Sequence, residues 1–220
     1  IFKKNKLPVV VGGTGLYIQA LCEGIFEDKI DENQRKIISD KLSSELELRG
    51  IDFLYEKLKF VDKVSAEKYS DKNPRRILRA LEYYEIKGIP FSEAQKKFMK
   101  KSDFNVCYFG IEFPRNELYE RINRRTEIMW SMGLVEEVKE ILKKGYSANL
   151  NSLNTVGYKE TIAFLRGEMN ELEAIEKIKQ NTRRYAKRQM TWFRKNSKIK
   201  WLSGDEKSIA ELILQNLINI

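Results

Sequence analysis

The chain has 220 residues, of which 42% are hydrophobic and 33% are charged, a composition typical of one large or two small globular domains. Lys and Arg number 41 against 32 Asp and Glu, so the net charge is +9. Such a basic balance is typical of nucleic-acid-binding proteins, although a generally solvated surface also accounts for it. The sequence contains no histidine, which excludes His-based triads and most zinc sites and leaves a carboxylate as the expected general base. No apolar run approaches the roughly 20 residues of a membrane span, so we expect no membrane partner.

The first predicted feature is a strand, a tight turn and the start of a helix. An apolar run at residues 7–11 leads into Gly12-Gly13-Thr14-Gly15, and a helical pattern begins at Leu16. Glycines allow close approach of a ligand, and the first N–H groups of a helix attract anions. The stretch has neither the lysine of a Walker A loop nor the last glycine of a dinucleotide motif. A phosphate-binding turn and a purely structural turn therefore both remain open.

Hydrophobic periodicity and capping residues predict the remaining elements. Helices are predicted at residues 31–50, 53–60, 65–69, 74–87, 116–132, 134–142 and 171–195, with one ending at residue 166 and one beginning at residue 205. Strands are predicted at residues 106–113 and 199–202, and a flexible lysine-rich connection is predicted at residues 96–101. Cys22 and Cys107 lie in apolar surroundings and are predicted to be core thiols, which fits a reducing cytoplasm. The sequence opens without Met almost directly on a strand, so we expect a fragment of a longer protein.

Arginines stand out at three places, as two clusters and one single residue. Arg75, Arg76 and Arg79 share one side of the helix at 74–87, which predicts either a phosphate-binding surface or a solvated face. Arg35 lies near the start of a helix, where an external anion would relieve its unfavourable interaction with the helix dipole, although solvation explains it nearly as well.

Arg121 and Arg125 form the second cluster, and they are expected to project toward the apolar side of the helix at 116–132. Charges on such a side are costly unless they are paired. The prediction is therefore either a buried carboxylate partner or an anionic ligand such as a diphosphate.

Five motifs carry a family resemblance: VVGGTGLY at 10–17, NPRRILRALE at 73–82, RINRR at 121–125, TVGYK at 155–159 and AKRQMTW at 186–192. In this order and spacing they resemble the tRNA dimethylallyltransferases (tRNA isopentenyltransferases) across nearly the whole chain. The resemblance implies transfer of a dimethylallyl group from dimethylallyl diphosphate to N6 of the adenosine immediately 3′ of the anticodon. The implied partners are dimethylallyl diphosphate and the anticodon stem-loop of tRNA.

The resemblance also implies the architecture. It gives an α/β P-loop-type core with an incomplete parallel sheet, formed by residues 1–25 and 104–220, and an inserted all-helical tRNA-binding domain at 26–103, with the chain mostly helical overall. The expected cofactor is Mg²⁺, with ligands mainly outside this stretch. The family's phosphate loop and general-base aspartate would precede residue 1, so we expect this stretch not to catalyse on its own. We expect a cytoplasmic monomer.

The site residues implied by the resemblance fall into two groups. Thr14 is implied as a catalytic residue and a tRNA contact, and either Arg121 or Arg125 as the diphosphate ligand. The remaining implied tRNA contacts are Arg35, Arg75, Arg76, Ile77, Leu78, Arg79, Asn154, Thr155, Val156, Gly157, Tyr158 and Lys159.

Two alternatives stay open at this point. A non-catalytic RNA-binding module would share the basic helices but would not need the glycine turn or inward-facing arginines. A small-molecule kinase or other transferase would share a P-loop-type core but would not need an inserted helical domain with a basic face.

Overall fold

The computed structural model describes residues 1–26, 30–100 and 104–218. The chain divides into two compact units, one made of Ile1–Gly15 together with Val106–Ile220 and the other of Leu16–Asn105. Both units consist mainly of helices, and the first also contains a small parallel sheet. The prediction of a mostly helical chain with a parallel sheet is therefore confirmed. The domain boundary expected at residue 103 lies outside the described residues.

The unit Leu16–Asn105, here called the helical unit, contains five helices and a short ribbon within the described residues. The elements are α1 (Gly15–Glu23), β1 (Ile25–Phe26), α2 (Glu32–Val61), α3 (Lys63–Lys68), α4 (Pro74–Lys87), α5 (Phe91–Lys97) and β2 (Met99–Lys100). β1 and β2 pair antiparallel, with Phe26 opposite Met99. The chain therefore enters and leaves the set of helices α2–α5 through paired strands.

Local sequence signals explain how these helices begin and end. The Asp31 carboxylate caps α2 by accepting the Gln34 N–H at 2.9 Å, and Gly50 breaks this helix with a left-handed φ of 77°. The two halves correspond to the two helices predicted at 31–50 and 53–60. In α4 the residue before Pro74 is the cap, and Gly88 ends the helix with φ 69°. The predicted boundaries of α4 are therefore confirmed.

The core of the helical unit lies between α2 and α4. Leu54, Leu58, Ile77 and Leu81 are fully buried there. Such aliphatic burial contributes roughly 1.5–3 kcal/mol per side chain and is the main source of stability for a small unit. This packing fixes which residues of α4 face outward.

A buried carboxylate joins two helix starts of the helical unit. Asp62 accepts hydrogen bonds from the backbone N–H and the hydroxyl of Ser65, at 2.9 and 2.6 Å, and from the same two groups of Ser92, at 2.8 and 2.7 Å. Burial raises the pKa of this carboxyl, but the four hydrogen bonds outweigh burial and hold the pKa below its usual range. Asp62 therefore ties the start of α3 to the start of α5.

The second unit, here called the sheet unit, contains a single 3-10 turn (Phe2–Lys4) and seven longer elements within the described residues. These are β3 (Tyr108–Ile111), α6 (Arg115–Ser131), α7 (Leu134–Lys143), α8 (Tyr158–Leu165), α9 (Glu171–Phe193), β4 (Ile199–Leu202) and α10 (Glu206–Ile218). β3 and β4 pair in parallel, with Tyr108 opposite Ile199 and Ile111 opposite Leu202. The strands predicted at 106–113 and 199–202 are therefore confirmed.

A small core and one ion cluster hold the helices of the sheet unit together. Leu134, Val138 and Ile162 are buried with residues of α9 and of the loop before α8. Lys179 on α9 is buried, and its ammonium lies 2.7 Å from Glu127 on α6 and 2.7 Å from Glu176. Because both carboxylates are exposed, this cluster lies at the rim of the α6–α9 contact.

The strand predicted at residues 7–11 is wrong. These residues are outside regular structure, and the side chains of Leu7, Val9 and Val11 are 61%, 76% and 92% exposed. A strand forms only where neighbouring strands satisfy its backbone, and within the described residues β3 and β4 pair only with each other. An apolar β-branched run alone does not supply that partner.

Two further sequence predictions are corrected. The connection predicted at 96–101 is not irregular, because α5 continues to Lys97 and β2 follows it, while residue 101 lies outside the described ranges. Cys107 is exposed and Cys22 is only half-buried, so neither is a core thiol. Cys107 precedes the first ladder residue of β3, where no paired strand covers it. None of the helices in the described ranges has both the length and the apolar character required to cross a bilayer.

Candidate functional site

In the sheet unit the glycine turn packs directly against the last third of α9. The carbonyl oxygen of Gly13 accepts a hydrogen bond from Gln189 Nε2 at 2.8 Å. A Cβ at Gly13 would lie 2.3 Å from that nitrogen, and a Cβ at Gly15 would lie 2.2 Å from the indole of Trp192. Glycine is therefore required at Gly15, where the rigid indole ring is in the way, whereas at Gly13 the flexible end of Gln189 could move aside. Two motifs that are far apart in the sequence, at 10–17 and 186–192, meet here.

Thr14 lies between these two contact glycines. It is exposed, and it is the last residue before α1 begins at Gly15. Within the described part of the chain its hydroxyl makes no hydrogen bond. A hydroxyl that can both donate and accept is thus held beside the Gly13 and Gly15 contacts and is open to an external ligand.

The face of α9 beside the turn is basic and aromatic. Tyr185 and Trp192 are 42% and 43% exposed, and the Arg188 guanidinium lies 5.6 Å from the centre of the Tyr185 ring. Exposed rings combined with cations are the composition that binds single-stranded nucleic acid by stacking and backbone contacts. The sequence prediction assigns no role to Gln189 or Trp192, because their pairing with the turn has no local signal.

Arg121 and Arg125 do not point into the apolar side of α6, and this prediction is corrected. Both side chains are exposed, whereas Ile122 and Thr126, one position further along, are buried. One position is about 100° around a helix, so the buried stripe is rotated away from the arginines. Neither arginine therefore requires a buried carboxylate.

The two arginines of α6 differ in their own contacts. The Arg121 guanidinium lies 4.3 Å from the centre of the Phe113 ring, and its Nη1 lies 3.4 Å from Glu117 Oε1. Arg125 has no ion pair or hydrogen bond within the described residues. Arg125 thus presents a complete guanidinium to an external anion, while Arg121 is partly engaged.

The motif at 155–159 forms the turn that leads into α8. Gly157 adopts φ 101°, and its N–H donates to the buried carboxylate of Glu160 at 2.8 Å. Asn181 on α9 donates to the same carboxylate at 2.7 Å. Glu160 therefore fixes the turn to α9.

The residues of this turn differ in exposure. Asn154, Thr155 and Lys159 are exposed, whereas Val156 packs against the core. The Tyr158 hydroxyl donates to Glu137 on α7, and this hydrogen bond raises the pKa of Tyr158. The turn thus presents an amide, a hydroxyl and an ammonium group from a fixed backbone.

In the helical unit, two of the predicted RNA-contacting arginines meet on one carboxylate. Arg35 Nε on α2 and Arg79 Nη1 on α4 donate to Glu82 Oε1, at 2.9 and 2.8 Å. The Glu82 side chain is only 9% exposed, while those of Arg35 and Arg79 are 40% and 37% exposed. The arginine heads therefore reach the surface from a buried anchor.

The other predicted residues of α4 divide by burial. Arg75 is exposed, and Arg76 is exposed with Asp71 at 3.5 Å. Ile77 is fully buried, and Leu78 is partly buried against the same core. The basic surface of this segment is therefore made by its arginines alone.

The described residues offer no metal centre made from the usual side chains. No group of three or more His, Cys, Asp or Glu side chains in these ranges is arranged to hold a metal ion.

Comparison with known proteins identifies the class. A family model described as IPP transferase matches residues 1–196. A curated relative named tRNA dimethylallyltransferase, from Acetivibrio thermocellus, is 42% identical over 220 residues, which cover 99% of this chain and 69% of the relative. The chain belongs to the IPP transferase family.

Solved structures agree with this assignment. The tRNA delta(2)-isopentenylpyrophosphate transferase of Staphylococcus epidermidis aligns with a TM-score of 0.62 and 35% identity, covering 100% of this chain and 71% of that one. A eukaryotic dimethylallyltransferase, whose structure is described as acting on tRNA, aligns with a TM-score of 0.67 and 26% identity, covering 94% of this chain and 54% of that one.

Proposed function

We propose that this protein is a tRNA dimethylallyltransferase, which transfers the dimethylallyl group of dimethylallyl diphosphate to N6 of the adenosine immediately 3′ of the anticodon. The observation that carries the proposal is the 42% identity over 220 residues to a relative of that name. The contact between the glycine turn and α9 supports it, because it joins two of the motifs that carry the resemblance. Neither alternative function, an RNA-binding module or a small-molecule kinase, requires these two motifs to pack together.

The chemistry requires an adenine that is out of its stack. Extrusion of a base costs roughly a few kcal/mol and exposes both its face and its N6 amine. We assign Thr14 to the wall of the pocket that receives this base. Its hydroxyl is exposed, and its neighbours Gly13 and Gly15 have no Cβ that would restrict access to it. Half-exposed Trp192, held against Gly15, offers a ring face beside it.

The transfer itself exchanges one bond for another. The N6 lone pair attacks the allylic carbon, the carbon–oxygen bond to diphosphate breaks, and the electron pair leaves with the diphosphate. The amine proton passes to a general base, which the family resemblance implies is an aspartate. The protein's electrostatic task is to stabilise charge on the departing diphosphate.

We assign Arg125 as the principal diphosphate ligand and Arg121 as its neighbour. The open guanidinium of Arg125 and the partial engagement of Arg121 with Glu117 and Phe113 support this order. Mg²⁺, when bound with the diphosphate, would supply further neutralisation of its charge. None of the described residues is assigned as a magnesium ligand, since no suitable cluster is present among them.

We further propose that residues 1–25 and 104–220 belong to a P-loop-type core into which a tRNA-binding helical domain, residues 26–103, is inserted. The antiparallel pairing of β1 with β2 supports an insertion, because an inserted domain must enter and leave its host at neighbouring points. We propose separate tRNA contacts in each unit. In the helical unit they are the exposed parts of Arg35, Arg75, Arg76 and Arg79, and in the sheet unit they are Asn154–Lys159. A cytoplasmic, monomeric enzyme fits this role.

The test is prenyl transfer by the complete protein to two anticodon stem-loop RNAs that differ only in the base 3′ of the anticodon. With radiolabelled dimethylallyl diphosphate, we expect label in the RNA with adenosine and none in the RNA with guanosine. Equal binding of both RNAs without transfer would favour a non-catalytic RNA-binding module. Transfer to a small molecule in place of RNA would favour the kinase-like alternative.

A further inference from the structure

Glu82 occupies an unusual place among the charged groups of the helical unit. One of its two carboxylate oxygens, Oε1, accepts hydrogen bonds from two guanidiniums on different helices, Arg35 of α2 and Arg79 of α4. Because both donors converge on one atom, the guanidiniums lie side by side. Each uses only one of its N–H-bearing nitrogens in this contact, so most of their donors remain available.

The charges of this triad do not cancel. Two cations and one anion leave a net charge of +1, and the anion is the buried member, with 9% of its side chain exposed against 40% for Arg35. Glu32 adds only a weak ion pair to this triad, since its Oε1 lies 3.9 Å from Arg35 Nη1. An external anion that approaches this surface therefore meets two arginine heads while the carboxylate lies beneath them.

We propose that Glu82 is a positioning residue, which holds Arg35 and Arg79 as a preformed clamp for a phosphate of the tRNA backbone. The inference rests on the proposed tRNA substrate and adds a residue that does not itself touch RNA. Arginine side chains lose considerable rotamer freedom when they bind, and fixing them beforehand lowers that cost. The buried carboxylate also sets the spacing of the two heads, which a bridging phosphate requires.

The same helix pair contains a natural control. Glu85, one turn further along α4, accepts from Lys41 at 2.8 Å and from Lys57 at 2.6 Å, both on α2. Burial raises the pKa of Glu85, and the two lysines more than offset it, so its pKa lies below the usual range. Glu85 thus joins α2 to α4 as Glu82 does, but neither of its partners belongs to the predicted RNA-contacting set.

The experiment compares Glu82→Gln with Glu85→Gln in the complete protein. Both substitutions keep the shape of the side chain and remove one largely buried negative charge between α2 and α4. We expect Glu82→Gln to weaken binding of an anticodon stem-loop RNA about 3- to 10-fold, measured by fluorescence anisotropy, because two side chains must then be ordered on binding. We expect Glu85→Gln to bind as the wild type does, even where thermal melting shows a comparable loss of stability.

A double-variant cycle separates positioning from a general structural effect. If Glu82 acts through the two arginines, Glu82→Gln has no further effect on RNA affinity in an Arg35→Ala/Arg79→Ala background. Should Glu82→Gln fail to fold, Glu82→Asp replaces it. The aspartate keeps the negative charge but is one methylene shorter, so its oxygens lie further from the two arginines. We expect this variant to bind the RNA about 2- to 5-fold more weakly.

Three results would overturn the positioning role. These are unchanged or tighter RNA binding by the folded Glu82 variant, an equal loss in Glu85→Gln, or a further loss in the double-arginine background. Absence of RNA binding by the wild-type protein would instead overturn the proposed function. Wild-type binding together with an unaffected Glu82 variant would overturn the positioning role alone.

Discussion

The two units of the chain present arginine pairs in opposite ways. In the helical unit, Arg35 and Arg79 share a buried carboxylate and reach the surface already ordered. In the sheet unit, Arg125 is exposed with no ion pair among the described residues, and Arg121 is held only by an exposed carboxylate and a ring. A fixed clamp suits a large, rigid polyanion such as tRNA. Open guanidiniums suit a small diphosphate whose charge distribution changes as its bond breaks.

The largest expected effect separates the two arginines of the sheet unit. Arg125→Ala removes a complete guanidinium from the proposed diphosphate site, so we expect kcat/KM for dimethylallyl diphosphate to fall by roughly 10²-fold. Arg121→Ala is the matched variant, and its loss should stay below about 10-fold. Steady-state prenyl transfer measures both. Equal losses, or a larger loss for Arg121→Ala, would contradict the assignment of Arg125.

The helical frame that presents the fixed clamp can be loosened at Asp62. Asp62→Ala removes the caps of α3 and α5 together, so we expect the free energy of unfolding of this unit to fall by about 2–4 kcal/mol. Asp31→Ala, which removes one exposed cap hydrogen bond, should cost about 1 kcal/mol. Urea denaturation followed by circular dichroism gives both values. A cost for Asp62→Ala no larger than that for Asp31→Ala would show that the double cap is not important.

The glycine turn of the sheet unit offers a steric test with an internal control. Gly15→Ala places a Cβ 2.2 Å from the Trp192 indole, so we expect a destabilisation of about 1–3 kcal/mol and a loss of prenyl transfer. Gly13→Ala meets only the flexible end of Gln189 and should have a smaller effect.

Gly12→Ala is the control for the turn, since a Cβ there would meet no atom of the described residues within 4 Å beyond its chain neighbours. It should melt and react as the wild type does. An inactive Gly12→Ala protein, or a fully active Gly15→Ala protein, would refute the role of the close contact between the turn and α9.

The smallest expected effect is a pH dependence confined to the helical unit. Because the folded pKa of Asp62 is lowered, its stabilising contribution is complete above the unfolded pKa near 3.9 and is lost as the pH falls through the folded value. We expect the difference in unfolding free energy between wild type and Asp62→Asn to shrink below about pH 4. A difference that stays constant through that range would show that Asp62 is not ionised in the folded protein.

Local signals in the sequence predict most of the secondary structure but not the partners of the charged groups. Asn73, Pro74 and Gly88 suffice to define α4, and the strand at 199–202 is read from a short apolar run. The same kind of run fails at residues 7–11, because a strand also requires a neighbour. Helical periodicity places Arg121 and Arg125 only to within about one position, and one position decides between the buried stripe and solvent.

The site shows the same limit. The resemblance supplies Thr14, Arg35 and the arginines of α4, whereas the contact of Gln189 with Gly13 joins residues 176 positions apart. Glu82 lies inside a recognised motif, yet its role depends on Arg35, 47 residues away, which no local pattern specifies. Long-range choices of partner are set by packing and are visible only in the folded chain.

The contrast between fixed and open arginines is tested most directly by one kinetic comparison. Prenyl transfer is measured with both substrates varied, for Arg35→Ala/Arg79→Ala and for Arg121→Ala/Arg125→Ala. We predict that the first variant raises KM for tRNA and leaves KM for dimethylallyl diphosphate unchanged, while the second lowers kcat/KM for dimethylallyl diphosphate without weakening tRNA binding. The reverse pattern, or equal effects of both variants on both substrates, would contradict the account.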